Sequence, residues 1–388
     1  MKSRISILFL LISTGLFAQE DSTKSFKDIV QIRGYIKDLR ILNYSKPTNW
    51  IQDNFIHNRI NVKIYPTKKL SVGLEMRNRL FYGESVKLNP LYSSSIDYDP
   101  GFFDVSWLWF DSKSFFLHST IDRAWVGWAN SNWDIKVGRQ RINWGISTVW
   151  NPNDLFNTFN FVDFDYEERP GSDAIRIQHY FKNFSSFEIA IKPDTGKNQA
   201  VYAGLYKFNK WNYDFQVLGG IYQNDLAFGG GFAGNLKTAG LKGEATYFHP
   251  KNNISGKGTF SGSLGLDYSF QKGIFVGGGM LLNTSGVNKL KDLTNPSLFS
   301  NTLSAKNLMP TKWSLFGQTS YPFSPIVNGT LAIIYTPNVN LMFAMPSVSL
   351  SMANNWEMLL LGQIYFGATS SNYNLLGSSI FVRTKFSF

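Results

Sequence analysis

Phe260-Ser261-Gly262-Ser263-Leu264-Gly265-Leu266-Asp267-Tyr268-Ser269-Phe270 alternates without a break. Phe260, Gly262, Leu264, Leu266, Tyr268 and Phe270 fall on one face, and Ser261, Ser263, Gly265, Asp267 and Ser269 on the other. Successive side chains of a strand point to opposite sides, so this stretch predicts a strand that is greasy on one face and wet on the other. Working outward, the same period continues through the chain in about 18 segments of near barrel-strand length. They lie near 28–44, 54–65, 69–81, 115–129, 132–141, 173–182, 185–192, 199–208, 211–222, 225–234, 237–249, 258–271, 273–283, 311–321, 326–336, 340–352, 355–366 and 376–388. In the second, Ile56, Ile60, Val62 and Ile64 oppose His57, Arg59, Asn61 and Lys63. A soluble β-sandwich shows the same local alternation, so the period alone does not decide the fold.

The connections carry more information. Counted from the N-terminus, even-numbered segments end in short turns such as Pro66-Thr67-Lys68, Asn130-Ser131, Asn209-Lys210 and Gln271-Lys272. Odd-numbered segments carry the long loops, 82–114, 142–172 and 284–310. Short turns on one rim and long loops on the other is the layout of outer-membrane barrels. A sandwich has no reason to sort its loops by parity. The predicted fold class is therefore all-β: a transmembrane antiparallel β-barrel of about 18 strands, with 16 as the alternative count.

Composition agrees. Charged residues are 17% and aromatics 16%, which suits a chain whose outside faces lipid. There is no apolar run long enough for a membrane helix beyond the N-terminus. Residues 1–18, with Lys2, Arg4, the run Ile5 to Ile12 and a small residue at Ala18, read as a secretory signal peptide. Residues 19–27 then form a short periplasmic segment and 28–388 the barrel. So short a segment holds no plug, which argues against a TonB-dependent transporter. The absence of Cys excludes a disulfide framework and Cys-based metal or redox chemistry. The net charge of +11 becomes +9 once Lys2 and Arg4 are removed. In an exported protein that balance points to an anionic membrane or anionic solutes rather than nucleic acid.

The wet faces of the first, second, third and last segments place Arg33, Lys37, Arg59, Lys63, Arg77, Arg79, Arg383 and Lys385 on neighbouring strands of a closed barrel, with Glu75 as the one acid among them. The loop 142–172, which follows the fifth segment and is therefore the third outer loop, carries Asp154, Asp163, Asp165, Glu167 and Glu168. Folded inward, it sets acids across from a basic wall and narrows the lumen, an arrangement that resembles the constriction of general porins. Opposed charges in a narrow lumen select solutes by charge and dipole. Alternatively, the acids and bases simply glue the barrel shut.

Gly138-Arg139-Gln140, Trp144-Gly145 and Asn151-Pro152 resemble the strand-to-loop segment of alginate-export-type and related porin-like barrels of Gram-negative outer membranes. The resemblance implies passive passage of anionic saccharides or other small anions, with Arg139, Arg141 and Arg176 lining the pore. Strict alternation, however, places Arg139 with Ile135 and Val137 on the lipid side, and only a bulge at Gly138 would turn it inward. The last segment, with Ile380, Val382, Phe386 and a terminal Phe388, resembles the signal read by the barrel-assembly machinery. The implied partners are outer-membrane lipids, that machinery and a small solute; monomer and trimer stay open.

No cofactor is expected. Four scattered His offer no metal spacing, and no nucleophile elbow, P-loop or dinucleotide fingerprint occurs. The remaining alternatives are a sealed barrel that works through its outer loops, and an outer-membrane hydrolase, for which no nucleophile and base stand together.

Overall fold

A computed structural model describes residues 26–45, 49–99, 101–158, 161, 163, 165, 168, 171–194, 196, 199–253, 255–289, 303–368 and 372–388. The signal-peptide segment, residues 19–25 and Glu167 lie outside them. The chain forms one closed antiparallel sheet. Its strands are β1 (Val30–Ser45), β2 (Asn49–Ile64), β3 (Leu70–Gly83), β4 (Ser106–Asp111), β5 (Phe115–Ala129) and β6 (Trp133–Gln140). They continue as β7 (Ser172–Tyr180), β8 (Ser186–Lys192), β9 (Val201–Lys210), β10 (Tyr213–Tyr222), β11 (Asp225–Leu236), β12 (Ala239–Pro250) and β13 (Thr259–Ser269). The last are β14 (Phe275–Asn283), β15 (Trp313–Ser324), β16 (Val327–Thr336), β17 (Leu341–Ala353), β18 (Trp356–Ala368) and β19 (Tyr373–Ser387). Eighteen of them build the barrel wall, and β4 is an insert from the loop after β3.

Alternation separates the two faces as expected. On β13, Phe260, Leu264 and Leu266 are 37–47% exposed on the outside, whereas Ser261 and Ser263 are buried on the lumen side. In a barrel every backbone group is paired without an edge, which is what lets strands cross hydrocarbon. The seam is β1 against β19, with Lys37 opposite Lys385 and Leu39 opposite Arg383. Phe388 completes it: Gly34 and Phe388 exchange backbone hydrogen bonds of 2.9 Å in both directions. A Cβ on Gly34 would stand 2.7 Å from the Phe388 ring, so only glycine lets the ring lie there. The tight hairpin between β9 and β10 has Trp211 and Asn212 at φ 55° and 62°, the left-handed pair that matches strand twist in a two-residue turn.

Three helices of four or five residues complete the described structure: α1 (Phe26–Ile29), α2 (Glu84–Leu88) and α3 (Tyr92–Ile96). α2 and α3 precede β4 in the same loop. β4 pairs with the upper half of β5, from Phe116 to Thr120, while β6 pairs with the lower half, from Ala124 to Ala129. β6 stops early because the chain leaves the wall into the third loop. β4 occupies the vacated slot and gives β5 a hydrogen-bonding neighbour along its full length.

Candidate functional site

The third loop crosses the lumen and is held on both sides. On the first side, the Trp144 indole donates to Glu188 of β8 at 2.7 Å, and Gln216 of β10 donates to the Trp144 carbonyl at 2.6 Å. Glu244 of β12 then accepts from the backbone N–H groups of Ile146 (2.8 Å), Ser147 (2.5 Å) and Asn153 (3.1 Å). Thr246 and Ser263 donate to the carbonyls of Pro152 and Trp150. A loop whose backbone cannot reach water needs such partners, and the polar inner faces of β8 to β13 supply them.

Apolar side chains fill the space between these anchors. Ile142, Trp144, Leu155 and Phe156 pack with Ala305 against inner-face residues such as Leu205, Leu218 and Phe248. Val149 and Trp150 pack with Leu308 and Met309 against Leu281, Phe316, Ile334 and Phe343. The third loop and the loop after β14 thus form a dry wedge on one side of the lumen.

The loop returns on the other side to the basic wall. Lys37, fully buried, meets the Asp165 carboxylate at 2.6 Å and donates to the Asp165 carbonyl at 2.7 Å. His57 stands 3.9 Å from the same carboxylate. Arg59, also fully buried, donates to Asp122, to Glu75 at 2.6 Å and to Asn61 at 2.9 Å, with Glu168 at 3.5 Å. The Tyr35 hydroxyl donates to Glu168 at 3.1 Å. Arg123 lies 3.2 Å from Glu75, Arg77 3.6 Å from Asp122, and Arg383 2.9 Å from Glu357. Arg79 shares a 3.1 Å hydrogen bond with His118, and Lys385 sits 5.1 Å from the centre of the Tyr35 ring.

The expected groups are therefore distributed unevenly. Of the described loop acids, Asp165 and Glu168 face the basic wall. Asp163 is exposed, and Asp154 is buried in the far half of the loop. Lys37 and Arg59 are covered by the loop and matched with carboxylates, so they fasten it rather than meet a solute. Arg33 and Lys63 are exposed toward the short-turn rim. Trp144 is an anchor of the loop, and Arg141 lies exposed beside Asn143. Arg176 points into the lumen and pairs with Asp134 at 3.0 Å.

Arg139 corrects the pore-lining expectation. Gly138 has φ 117°, but the pairing of β6 with β5 and β7 runs past it without a register shift. Arg139 therefore stays on the outer face with Ile135 and Val137. It is nevertheless buried, because Asp99 and residues 101–105 fold over it. Its guanidinium donates to both oxygens of Asp173 (2.8 and 2.9 Å), to Asp99 (2.6 Å), and to the carbonyls of Phe103 (2.7 Å) and Ile121 (3.2 Å). Gly101 has no side chain because the Arg139 guanidinium occupies that place. The residue is a clasp for the loop before β4.

No family model matches this chain, and no curated protein sequence matches it. Solved structures do. Pseudomonas aeruginosa OccK9 (OpdG) is similar with a TM-score of 0.57 and 10% identity, covering 94% of this chain and 100% of that one. The outer membrane protein opdK of the same organism gives 0.56 and 8%, with 92% and 98% covered. Acinetobacter baumannii OccAB1 gives 0.55 and 11%, with 92% and 96% covered. At these identities the likeness is one of fold. With its closed wall and apolar outer belt, the chain is an outer-membrane β-barrel.

Asp122 and Arg123 were not visible from alternation. The β3–β5 register slips there, with Glu75 opposite Arg123 and Met76 opposite Ile121, so Asp122 is a bulged residue. Both side chains reach the lumen cluster although they are adjacent, which strict alternation forbids. The hint in the sequence is that Asp122 and Arg123 are adjacent and are the charged pair of segment 115–129.

Proposed function

We propose that this protein is a passive outer-membrane channel, narrowed by its third loop and favouring small polar anions. The observation that carries the reading is the charge balance of the wall, where among the described residues bases outnumber carboxylates. Lys37, Arg59, Arg77, Arg79, Arg123, Arg383 and Lys385 stand against Glu75, Asp122, Asp165, Glu168 and Glu357. A cationic excess in a confined lumen raises the local concentration of anions. The strand-to-loop resemblance to alginate-export-type barrels makes an anionic saccharide the first solute to try. Planar-bilayer recording under a salt gradient tests the reading. The expected reversal potential is that of an anion-preferring pore, and Arg77→Glu with Arg79→Glu should move it toward cations. Cation preference in the parent protein would overturn the reading.

A second reading has one observation in its favour. The dry wedge of Trp144, Trp150, Phe156 and Met309 against the inner wall suits a sealed barrel that works through its outer loops. That reading expects no ion current from purified protein and stable protein partners on loops 82–114 and 284–310.

A further inference from the structure

On most strands the outward residues are apolar from rim to rim. On β17 they are Met342, Ala344, Pro346, Val348 and Leu350, and on β13 the aromatic and aliphatic set already named. β1 breaks this pattern. Its even-numbered residues face out, since Tyr35 and Lys37 bond the lumen loop. Between Ile36 and Leu42, both exposed outward, stand Asp38 and Arg40, with Arg40 Nε 3.4 Å from Asp38 Oδ2 and side-chain exposures of 69% for Arg40 and 41% for Asp38. Next to them on β2, the outward residues Gln52 and Asn54 lie opposite Leu42 and Arg40.

The depth of this island follows from the girdles. The Phe388 ring over Gly34 marks the inner aromatic rim, and Tyr44 against Trp50, with ring centres 5.2 Å apart, marks the outer one. From Gly34 to Tyr44 the strand climbs about 25 Å along the membrane normal, at ~3.3 Å per residue and a tilt of roughly 40°. Asp38 and Arg40 then stand about 10 and 15 Å up, near the middle of the hydrocarbon. Acyl chains offer neither group a counter-charge, and exposed charge at that depth opposes insertion. Arg40 has the length to reach toward headgroups; Asp38 does not.

We propose that the outer face of β1 and β2 is an interface, and that its occupant is a second copy of this chain. Charge complementarity selects that occupant. All copies insert with the same rim inward, so equivalent residues of two copies meet at nearly equal depth. Asp38 and Arg40 differ in height by about 5 Å. A two-fold axis along the membrane normal lets Arg40 of each copy meet Asp38 of the other, so one patch complements itself. Gln52 and Asn54 add hydrogen-bonding groups that find partners in a protein and none in lipid.

The chain has no Cys, so a single introduced thiol reports its surroundings without background. In native outer membranes treated with a short bis-maleimide, Asn54→Cys should give a cross-linked dimer at least tenfold above Leu264→Cys, which sits on the outer face of β13. In lipid nanodiscs the parent protein should have the mass of two chains, and Asp38→Leu with Arg40→Leu the mass of one. The exchange Asp38→Arg with Arg40→Asp keeps the patch self-complementary and should remain dimeric. A monomeric parent, or Asn54→Cys cross-linking no better than Leu264→Cys, overturns the proposal. So does cross-linking of Asn54→Cys to a different protein.

Discussion

Replacing Glu244 with Leu should release the third loop from the lumen wall. Its carboxylate is buried and accepts three backbone N–H groups, from Ile146, Ser147 and Asn153. A hydrogen bond to a charged group contributes about 1.5–3 kcal/mol, and an abandoned buried donor adds its own desolvation cost. Against this, the variant no longer buries a carboxylate, which offsets part of the loss. A net penalty of roughly 3–4 kcal/mol on docking the loop is expected, because Thr246 and Ser263 still hold the carbonyls of Pro152 and Trp150. At 1.4 kcal/mol per factor of ten, the undocked fraction rises by about two to three orders of magnitude. The barrel itself should assemble, since the backbone pairing of β12 with β11 and β13 does not involve the loop. Single-channel recording should show larger and noisier current steps than the parent, and trypsin added to intact vesicles should cut faster at the exposed Arg141. Glu244→Gln keeps one carbonyl acceptor and should fall between the two. An assembled Glu244→Leu barrel with parental conductance, noise and trypsin resistance would refute the account of how the loop is held.

The return side of the loop should respond to acid. Burial pushes the Asp165 carboxyl up, but the neighbouring His57 and the contact and charge of Lys37 outweigh it and hold the group below the usual carboxylate range. The Lys37–Asp165 contact is therefore fully present above the ordinary carboxylate pKa and lost only as pH falls through the lower folded value; Lys37→Met removes the contact itself and one cause of the lowered pKa, so protonation of Asp165 should begin at higher pH there, read as the pH at which channel noise rises. Arg139→Gln should leave ion selectivity unchanged but lower barrel heat stability and expose loop 84–114 to protease, at a cost of about 3–5 kcal/mol for a broken buried pair; a shifted reversal potential would mean that Arg139 lines the pore after all. Gly34→Val should slow or block assembly, because its side chain meets the Arg59 carbonyl at 2.3 Å and displaces Phe388 from the seam.

Every wall strand was legible in the sequence, and the reason is the solvent. Hydrocarbon outside and polar groups inside impose period-two order on each crossing, so residues such as Leu264 and Ser263 declare their faces alone. β4 was missed for the converse reason. Ser106–Asp111 is short, its register slips between Leu108 and Phe110, and it fills a slot defined by where β6 stops. Nothing local to Trp107 or Trp109 reports that vacancy. The charge pairing was half legible. Alternation placed Lys37, Arg59 and Arg77 on one wall, but which acids reach them depends on the path of the loop. That path delivers Asp165 and Glu168 to the wall and leaves Asp154 far from it. Arg139 shows the same limit: its outward face could be read, whereas the loop that covers it could not.

On the channel function proposed above, the wall and the loop would divide one electrostatic task in a way that makes selectivity adjustable. Arg59 is balanced by Glu75 and Asp122, which ride on the strands themselves and stay in place whatever the loop does. Lys37 is balanced by Asp165, which arrives with the loop. The net field in the remaining lumen is thus a small difference between a fixed set of strand charges and a movable set of loop carboxylates. Removing Asp165 or Glu168 raises the cationic surplus and weakens the fastening at once, so selectivity and pore width are coupled through the same contacts. The strands tolerate such changes because their pairing is dictated by the lipid face, which the lumen charges do not touch. If it is the proposed channel, such a barrel would alter which solute it favours by substitutions in one loop, while the pattern exemplified by Phe260 to Phe270 keeps the wall intact.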